Sequence, residues 1–100
     1  MNLSALNQTF KDTNNTSIFS GLEEVNNLCE YLKRLELNCC SFDVTLARGQ
    51  NYYTGNIFEV YDKKERINGS IAAGGRYDKM IGSFIGDGEG YPTVGICFGL

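Results

Sequence analysis

The sequence contains no histidine, and this absence removes several catalytic arrangements at once. Serine and cysteine nucleophiles of the common triads need an imidazole as their base. The carboxylates Asp43, Glu59 and Asp78 are scattered along the chain and form no recognisable acid and base pair. Hydrolytic catalysis therefore has little support.

Long apolar runs are also absent. No run approaches the roughly 18 residues of a membrane-spanning helix. No N-terminal stretch joins basic residues to an apolar core and a small-residue cleavage site, as a secretory signal does. The 100 residues are 42% hydrophobic and 21% charged, which is typical of one globular domain. We expect no membrane association and a cytoplasmic location.

Positive charge is scarce, since Lys and Arg number 9 against 12 acidic residues and the net charge is −3. A broad nucleic-acid interface needs several cations on one face to neutralise phosphates. We therefore expect any RNA contact to be local.

The four cysteines show none of the two-residue spacing that zinc sites use, and no histidine can complete such a site. The sequence identifies no metal ligand. We expect all four thiols to be reduced and structural, with the adjacent pair buried. The cysteines are Cys29, Cys39, Cys40 and Cys97.

The first half of the chain predicts one helix. Residues 1–19 are polar without a sustained apolar period, which predicts a linker or poorly ordered segment. Ser20 and Glu23 have capping-box spacing, and apolar residues then recur at helical intervals over 21–36. Lys33 and Arg34 suit the negative end of the helix dipole.

The second half predicts strands. Apolar and polar residues alternate from Phe42 to Leu46, a pattern typical of a strand with one buried face, which Arg48 ends. Together with the helix, the strands predict an α+β fold with an antiparallel sheet rather than a βαβ alternation. The further predicted elements are a strand at 54–61, a hairpin connection at 62–69, a strand at 70–73 broken by Gly74-Gly75, a short helix at 77–84, a Gly-rich loop at 86–90 and a last strand at 93–100.

Two short blocks combine glycine, arginine and tyrosine, namely LARGQNYYTG at 46–55 and AGGRYD at 73–78. Arginine binds anions, tyrosine hydrogen-bonds flat polar rings, and glycine permits close backbone approach, so the blocks suggest a small-molecule site. Structural alternatives stay open. Arg48 can reach water or pair with Asp43 or Glu59, and the tyrosines can be core residues. Gly74-Gly75 can form a turn in which Asp78 acts as a cap or pairs with Arg76. The Gly-rich loop fits no nucleotide-binding fingerprint.

Both blocks resemble signatures of the histidyl-tRNA synthetase family, a class II aminoacyl-tRNA synthetase family. LARGQNYYTG is similar to its first histidine-specific signature, usually RGLDYYTG, and AGGRYD is similar to its second. PTVGICFGL at 92–100 resembles the strand that enters motif 3. The order and spacing of three blocks make the resemblance specific, and it covers residues 20–100.

The resemblance implies roles for individual residues. Arg48 would contact the histidine carboxylate and the α-phosphate, and stabilise charge as the adenylate forms. Tyr53 and Tyr77 would line the imidazole pocket, with Tyr52 beside it. The implied positions of close backbone approach are Gly74 and Gly75, and Gly95 and Gly99 on the last strand.

The sequence departs from the family at two positions and lacks several of its parts. Gln50 replaces the usual Leu, and Asn51 replaces the usual Asp beside the paired tyrosines. Motifs 1 and 2 are not found, and the chain ends at Leu100, before the motif 3 arginine and the anticodon-binding domain. The resemblance implies that residues 20–100 are the C-terminal half of a class II catalytic domain, inactive in isolation.

For the longer protein, the resemblance implies a histidine–tRNA ligase. Its substrates would be L-histidine, ATP with Mg²⁺, and tRNA(His), and it would form a homodimer. An alternative is a synthetase-like histidine-binding module of the kind found in the regulatory subunit of ATP phosphoribosyltransferase. A non-functional remnant with unpaired strand edges is a third reading.

Overall fold

The computed structural model describes residues 2–99, and among them it has three helices and a three-stranded antiparallel sheet. The predicted α+β class is confirmed, with one long helix on the N-terminal side and a short helix before the last strand. The chain divides into two compact units, Met1–Leu46 and Ala47–Leu100. The elements are α1 (Leu3–Thr9), α2 (Thr16–Arg34), β1 (Ile57–Val60), β2 (Ala72–Arg76), α3 (Met80–Ile85) and β3 (Val94–Phe98).

Helix α1 occupies part of the segment predicted to be a loop, and that secondary-structure prediction is wrong. The Asn2 side chain accepts a hydrogen bond from the Ala5 amide at 2.8 Å and so starts the helix. Asn7 and Asn26 then exchange amide hydrogen bonds of 2.9 and 2.8 Å, which tie α1 to α2. Leu3, Leu6 and Phe10 recur at helical spacing and are half-buried like Asn7, so the less exposed side of this segment is both apolar and polar. The predicted boundary between a linker over residues 1–19 and a domain over residues 20–100 stays a prediction.

Helix α2 begins earlier than its predicted start. The Asn15 side chain accepts from the amides of Ser17 and Ile18 at 3.0 and 3.1 Å, and so caps the helix before Thr16. The predicted capping box at Ser20 is therefore wrong, because Ser20 lies inside the helix. The expected positions of Lys33 and Arg34 in the last turn are confirmed.

No strand forms at the alternating segment 42–48, which corrects the sequence-based prediction. Asp43 Oδ1 accepts from the Thr45 amide at 2.8 Å and from the Thr45 hydroxyl at 2.6 Å. The Leu46 amide also donates to the Asp43 carbonyl at 3.3 Å. These local bonds turn the backbone, since a short Asp side chain competes with strand pairing for the same amides.

The sheet has the order β1-β2-β3, with β2 in the centre. Strand β1 is shorter than the predicted 54–61, and the turn at 62–69 connects it to β2 as predicted, with the Glu65 amide donating to the Asp62 carbonyl at 2.9 Å. The predicted break at Gly74-Gly75 is wrong, because both glycines lie within β2 and pair with residues of both neighbours. Their missing Cβ atoms make room for side chains packed on the sheet.

The strand register defines the two faces of the sheet. Glu59, Ala73 and Cys97 lie in one row, so their side chains share a face. Gly75 and Gly95 lie two residues along on the same face. The opposite face has Phe58 and other apolar residues, of which Val60, Ile96 and Phe98 are also exposed. The only buried apolar residues described are Ala72 and Ala73 in the central strand.

The remaining predicted elements shift by a few residues. Helix α3 runs over Met80–Ile85 rather than 77–84 and ends at Gly86, whose φ of 79° is left-handed. Residues 86–90 contain no helix or strand, as expected for a loop. Strand β3 covers Val94–Phe98, and the predicted end at Leu100 lies outside the described residues.

The cysteines are free thiols, but they are not buried as predicted. Cys39, Cys40 and Cys97 are exposed and Cys29 is half-buried. The predicted burial of Cys39 and Cys40 rested on the general tendency of free cysteine to bury, and for this pair it is wrong. Within residues 2–99, no helix is long and apolar enough to cross a membrane.

Candidate functional site

Three tyrosines from the two sequence blocks meet in one cluster. The ring centroids of Tyr52 and Tyr53 are 4.7 Å apart, and Tyr77 lies 5.7 Å from Tyr52 and 6.3 Å from Tyr53. The contacts to Tyr77 are edge-on, at interplanar angles of 82° and 66°, an arrangement that aromatic rings favour. Consecutive tyrosines in a regular strand would face opposite sides, but residues 51–56 are not a strand, so both rings reach the cluster.

Two glycines of the sheet support this cluster. A Cβ atom on Gly75 would lie 2.7 Å from Tyr53 Cδ1, and one on Gly95 would lie 2.6 Å from the Tyr77 hydroxyl oxygen. Gly75 and Gly95 are direct partners across β2 and β3. The paired glycines therefore form a floor on which the two rings lie, and the space beside each glycine is filled by a ring.

Gly74 and Gly99 lie elsewhere. A Cβ atom on Gly74 would lie 2.8 Å from Phe58 Cζ and would also collide with the Gly95 carbonyl oxygen, on the sheet face opposite the tyrosines. Gly99 lies beyond β3, where its amide donates to the Ile71 carbonyl at 2.9 Å. The structure therefore brings together six of the residues singled out in the sequence and leaves Gly74 and Gly99 outside. The six are Arg48, Tyr52, Tyr53, Gly75, Tyr77 and Gly95.

Arg48 is held by an acidic residue of the sheet. Its NH1 donates to Glu59 Oε1 at 3.0 Å, and the side chains of Arg48 and Glu59 are 25% and 13% exposed. This is one of the pairings that the sequence left open. The Arg48 Nε is buried and has no hydrogen-bond partner among the described residues. A buried N–H without an acceptor is costly, so this donor is suited to an incoming ligand oxygen.

The electrostatics link Arg48 to the tyrosines. The Glu59 carboxylate, and after it the Tyr53 hydroxyl, raise the pKa of Arg48. The hydrogen bond to Tyr53, with burial as a second cause, raises the pKa of Tyr52. Arg48 therefore stays cationic and Tyr52 stays a neutral phenol at physiological pH, so the cluster offers one fixed positive charge beside neutral hydrogen-bonding rings.

A second ion pair ties the segments around the cluster. Arg76 binds Asp78 through two bonds, Nε to Oδ1 at 3.0 Å and NH2 to Oδ2 at 2.9 Å, which confirms the pairing that the sequence allowed. The Asp78 amide donates to Thr54 Oγ1 at 2.9 Å, and its carbonyl accepts from the Tyr91 amide at 2.7 Å. Asp78 thus connects the segment after Tyr53 with β2 and with the approach to β3.

Sequence reasoning missed one member of the Arg48 environment, the Tyr61 hydroxyl, which donates to Glu59 Oε2. The available signal was the two-residue spacing of Glu59 and Tyr61, since residues two apart on a strand share a face.

No group of three or more Cys, Asp or Glu side chains gathers to hold a metal ion within the described part of the chain. The cluster is therefore suited to bind an anion attached to a polar ring.

One known protein family matches this chain over nearly its whole length. Residues 2–100 match the histidyl-tRNA synthetase family. The chain belongs to the histidyl-tRNA synthetase family. The resemblance inferred from the three blocks is thereby confirmed, and the match also covers the N-terminal residues that carried no recognisable block.

Relatives of this chain are found in bacteria and in a mammal. A histidine–tRNA ligase 1 of Bacillus cereus is 47% identical over 93 residues, which is 91% of this chain and 22% of the relative. The mitochondrial histidine–tRNA ligase of Bos taurus is 39% identical over 110 aligned residues, covering 98% of this chain and 22% of the relative. The histidine–tRNA ligase of Flavobacterium johnsoniae is 48% identical over 82 residues, which is 80% of this chain and 17% of the relative. The chain thus spans about a fifth of the length of these curated relatives.

Proposed function

We propose that the chain is part of a histidine–tRNA ligase, which activates histidine with ATP to histidyl-adenylate and transfers it to tRNA(His). The observation that carries this proposal is the buried, unpartnered Nε of Arg48 beside the three-tyrosine cluster. Histidine combines a carboxylate with a flat polar ring, and those are the two groups that a guanidinium and phenols recognise.

Arg48 is the residue proposed to act on the reacting atoms. Adenylate formation brings the histidine carboxylate to the α-phosphate of ATP, and the phosphate oxygens gain negative charge in the transition state. A cation that is already oriented stabilises this charge without reorganising at the moment of reaction.

The tyrosines are proposed to bind the substrate side chain. Tyr53 and Tyr77 would contact the imidazole, with Tyr52 completing the wall, because each ring adds apolar area and a hydroxyl that can donate to or accept from a ring nitrogen. Gly75 and Gly95 would act through these rings, since the rings fill the space beside them. Gln50 and Asn51, the departures from the family signature, precede the cluster.

Several finer properties belong to the same proposal. Residues 20–100 would be the C-terminal half of a class II catalytic domain, in a longer protein that is a cytoplasmic homodimer. ATP would enter with Mg²⁺, which would help neutralise the phosphates. The described residues form no acidic cluster that fits the ion, so we assign it no ligand in this chain.

The test is histidine-dependent exchange of pyrophosphate into ATP by the full-length protein that contains this chain. Arg48→Ala should lower kcat by about a hundredfold or more, the usual loss when one preorganised stabilising donor is removed. Arg66→Ala is the matched control, because the Arg66 side chain is 70% exposed and pairs with Asp62 in the β1–β2 connection. This control should keep the wild-type rate.

Two outcomes would overturn the proposal. Undiminished exchange with Arg48→Ala would remove the assigned role of the cation. Histidine binding by the full-length wild-type protein without any exchange would point instead to a histidine-binding regulatory module.

A further inference from the structure

We infer that Glu59 is a positioning residue for Arg48, and that Tyr61 orients Glu59 in turn. The inference rests on the proposed function, since it concerns how Arg48 is held for adenylate formation. It starts from a chain of hydrogen bonds, in which the Tyr61 hydroxyl donates to Glu59 Oε2 and Arg48 NH1 donates to Glu59 Oε1.

Each oxygen of the Glu59 carboxylate therefore accepts from a different donor. Glu59 lies in β1 opposite Ala73, which is 8% exposed in the central strand, so the sheet fixes the backbone from which the carboxylate projects. The Glu59 side chain is itself 13% exposed. A carboxylate with two oriented partners on a rigid strand holds its plane more firmly than one with a single partner.

The charges in this chain of bonds favour an ionised Glu59. The Tyr61 hydroxyl, and after it Arg48, lower the pKa of the Glu59 carboxyl. Glu59 is therefore an anion at neutral pH and binds Arg48 through a charge-assisted bond. The row of the sheet that holds Glu59 offers no second carboxylate, because its other two residues are Ala73 and Cys97.

The hydrogen bond occupies one end of the guanidinium. Arg48 has five N–H donors in a rigid plane, so fixing NH1 also fixes the direction of the Nε–H. That Nε is the buried donor without a partner among residues 2–99. Glu59 thus sets where the remaining donors point, and it acts on the substrate only through Arg48.

A double-mutant cycle tests this role in the full-length protein, with pyrophosphate exchange as the measurement. Glu59→Ala should lower kcat by about a hundredfold, because a misplaced charge loses stabilisation in the transition state, while the KM for histidine changes less. Glu59→Gln keeps an acceptor of the same shape and should recover most of the rate. Tyr61→Phe should give a smaller loss than Glu59→Ala.

The decisive variant is the double substitution of Arg48 and Glu59 by alanine. If Glu59 acts only through Arg48, the double variant should exchange pyrophosphate at the rate of Arg48→Ala alone. Glu89→Ala is a control for loss of a carboxylate, because Glu89 is exposed in the loop before β3 and should keep the wild-type rate. Thermal melting of each variant separates a folding defect from a positioning defect.

Different results overturn the two proposals. If Arg48→Ala reduces exchange but Glu59→Ala does not, the positioning role is wrong and the proposed function stands. If Glu59→Ala lowers the rate of pyrophosphate exchange by the same factor with and without Arg48, Glu59 acts independently of Arg48 and the inference fails. If Arg48→Ala leaves exchange unchanged, the proposed function itself fails and takes the positioning role with it.

Discussion

Gly75 and Gly95 are direct partners across β2 and β3, and each lies beneath a tyrosine ring on the same face of the sheet. The Tyr53 ring takes the position of a Cβ atom on Gly75, and the Tyr77 ring takes that of a Cβ atom on Gly95. Hydrogen at these two positions lets the rings approach the backbone and each other. The two sheet glycines therefore determine how close the tyrosine rings lie to the backbone.

Gly95→Ala should move the Tyr77 ring. The new Cβ atom would lie 2.6 Å from the hydroxyl oxygen and 2.9 Å from Cε1, closer than van der Waals contact permits. Overpacking of this kind costs about 1–3 kcal/mol in stability. In the full-length protein we expect the KM for histidine in pyrophosphate exchange to rise by about tenfold, since small displacements of binding groups have effects of this size.

Gly99→Ala is the control for this substitution. A Cβ atom on Gly99 would be 3.6 Å from the Ile71 carbonyl oxygen, an ordinary contact distance. Its KM for histidine should stay at the wild-type value. An unchanged KM for Gly95→Ala would contradict the proposed dependence of histidine binding on the tyrosine cluster.

Asn15→Ala should destabilise the start of α2. The Asn15 side chain accepts hydrogen bonds from two amides of the first turn, and losing such a cap costs about 1 kcal/mol. Ser20→Ala should keep or slightly raise stability, because Ser20 lies within the helix and alanine has the higher helix propensity. Urea unfolding followed by circular dichroism measures both. A larger loss for Ser20→Ala than for Asn15→Ala would place the cap where the sequence predicted it.

Asp78→Asn should destabilise the protein in a pH-dependent way. The hydrogen bonds from Arg76 lower the pKa of the Asp78 carboxyl, so its folded-state pKa lies below the unfolded value of about 4. The stability from this group is present above a pH of about 4 and is lost as the pH falls through the folded-state pKa. The difference in unfolding free energy between wild type and Asp78→Asn should therefore be largest near neutral pH and shrink in acid.

The control for Asp78 is Asp12→Asn, which removes an exposed carboxylate that has no ion pair among the described residues. At neutral pH this variant should change the unfolding free energy less than Asp78→Asn does, because it removes no such ion pair. A wild-type advantage over Asp78→Asn that grows as the pH falls would contradict the ion-pair account.

Local patterns were sufficient for part of the fold. The helical period of Leu22, Val25 and Leu32 predicted α2, because that signal depends only on neighbours within two turns. The connection at 62–69 was also predicted, since its turn depends on bonds made by Asp62 within the loop. The caps at Asn2 and Asn15 were equally local, but a polar sequence contains many Asn residues that could serve.

Elements that depend on distant partners were predicted less well. The alternation of Phe42, Val44 and Leu46 is typical of a strand, but a strand also needs a neighbour, and the bonds from Thr45 to Asp43 turn the chain instead. Glycines such as Gly74 and Gly75 usually weaken the interior of a strand. Here they lie in the central strand, because the ring of Tyr53, which is distant in sequence, fills the space beside Gly75.

By itself, the sequence determined the α+β class, the long helix, the family, and Arg48 with the tyrosines as candidates for a site. These follow from short patterns and from side-chain chemistry that does not depend on packing. Only the tertiary structure showed that Gly75 and Gly95 support the rings, that Gly74 and Gly99 lie apart, and that Arg48 and Tyr61 each donate to the Glu59 carboxylate. Those relations depend on strand register, because a shift of one residue would turn every side chain to the opposite face.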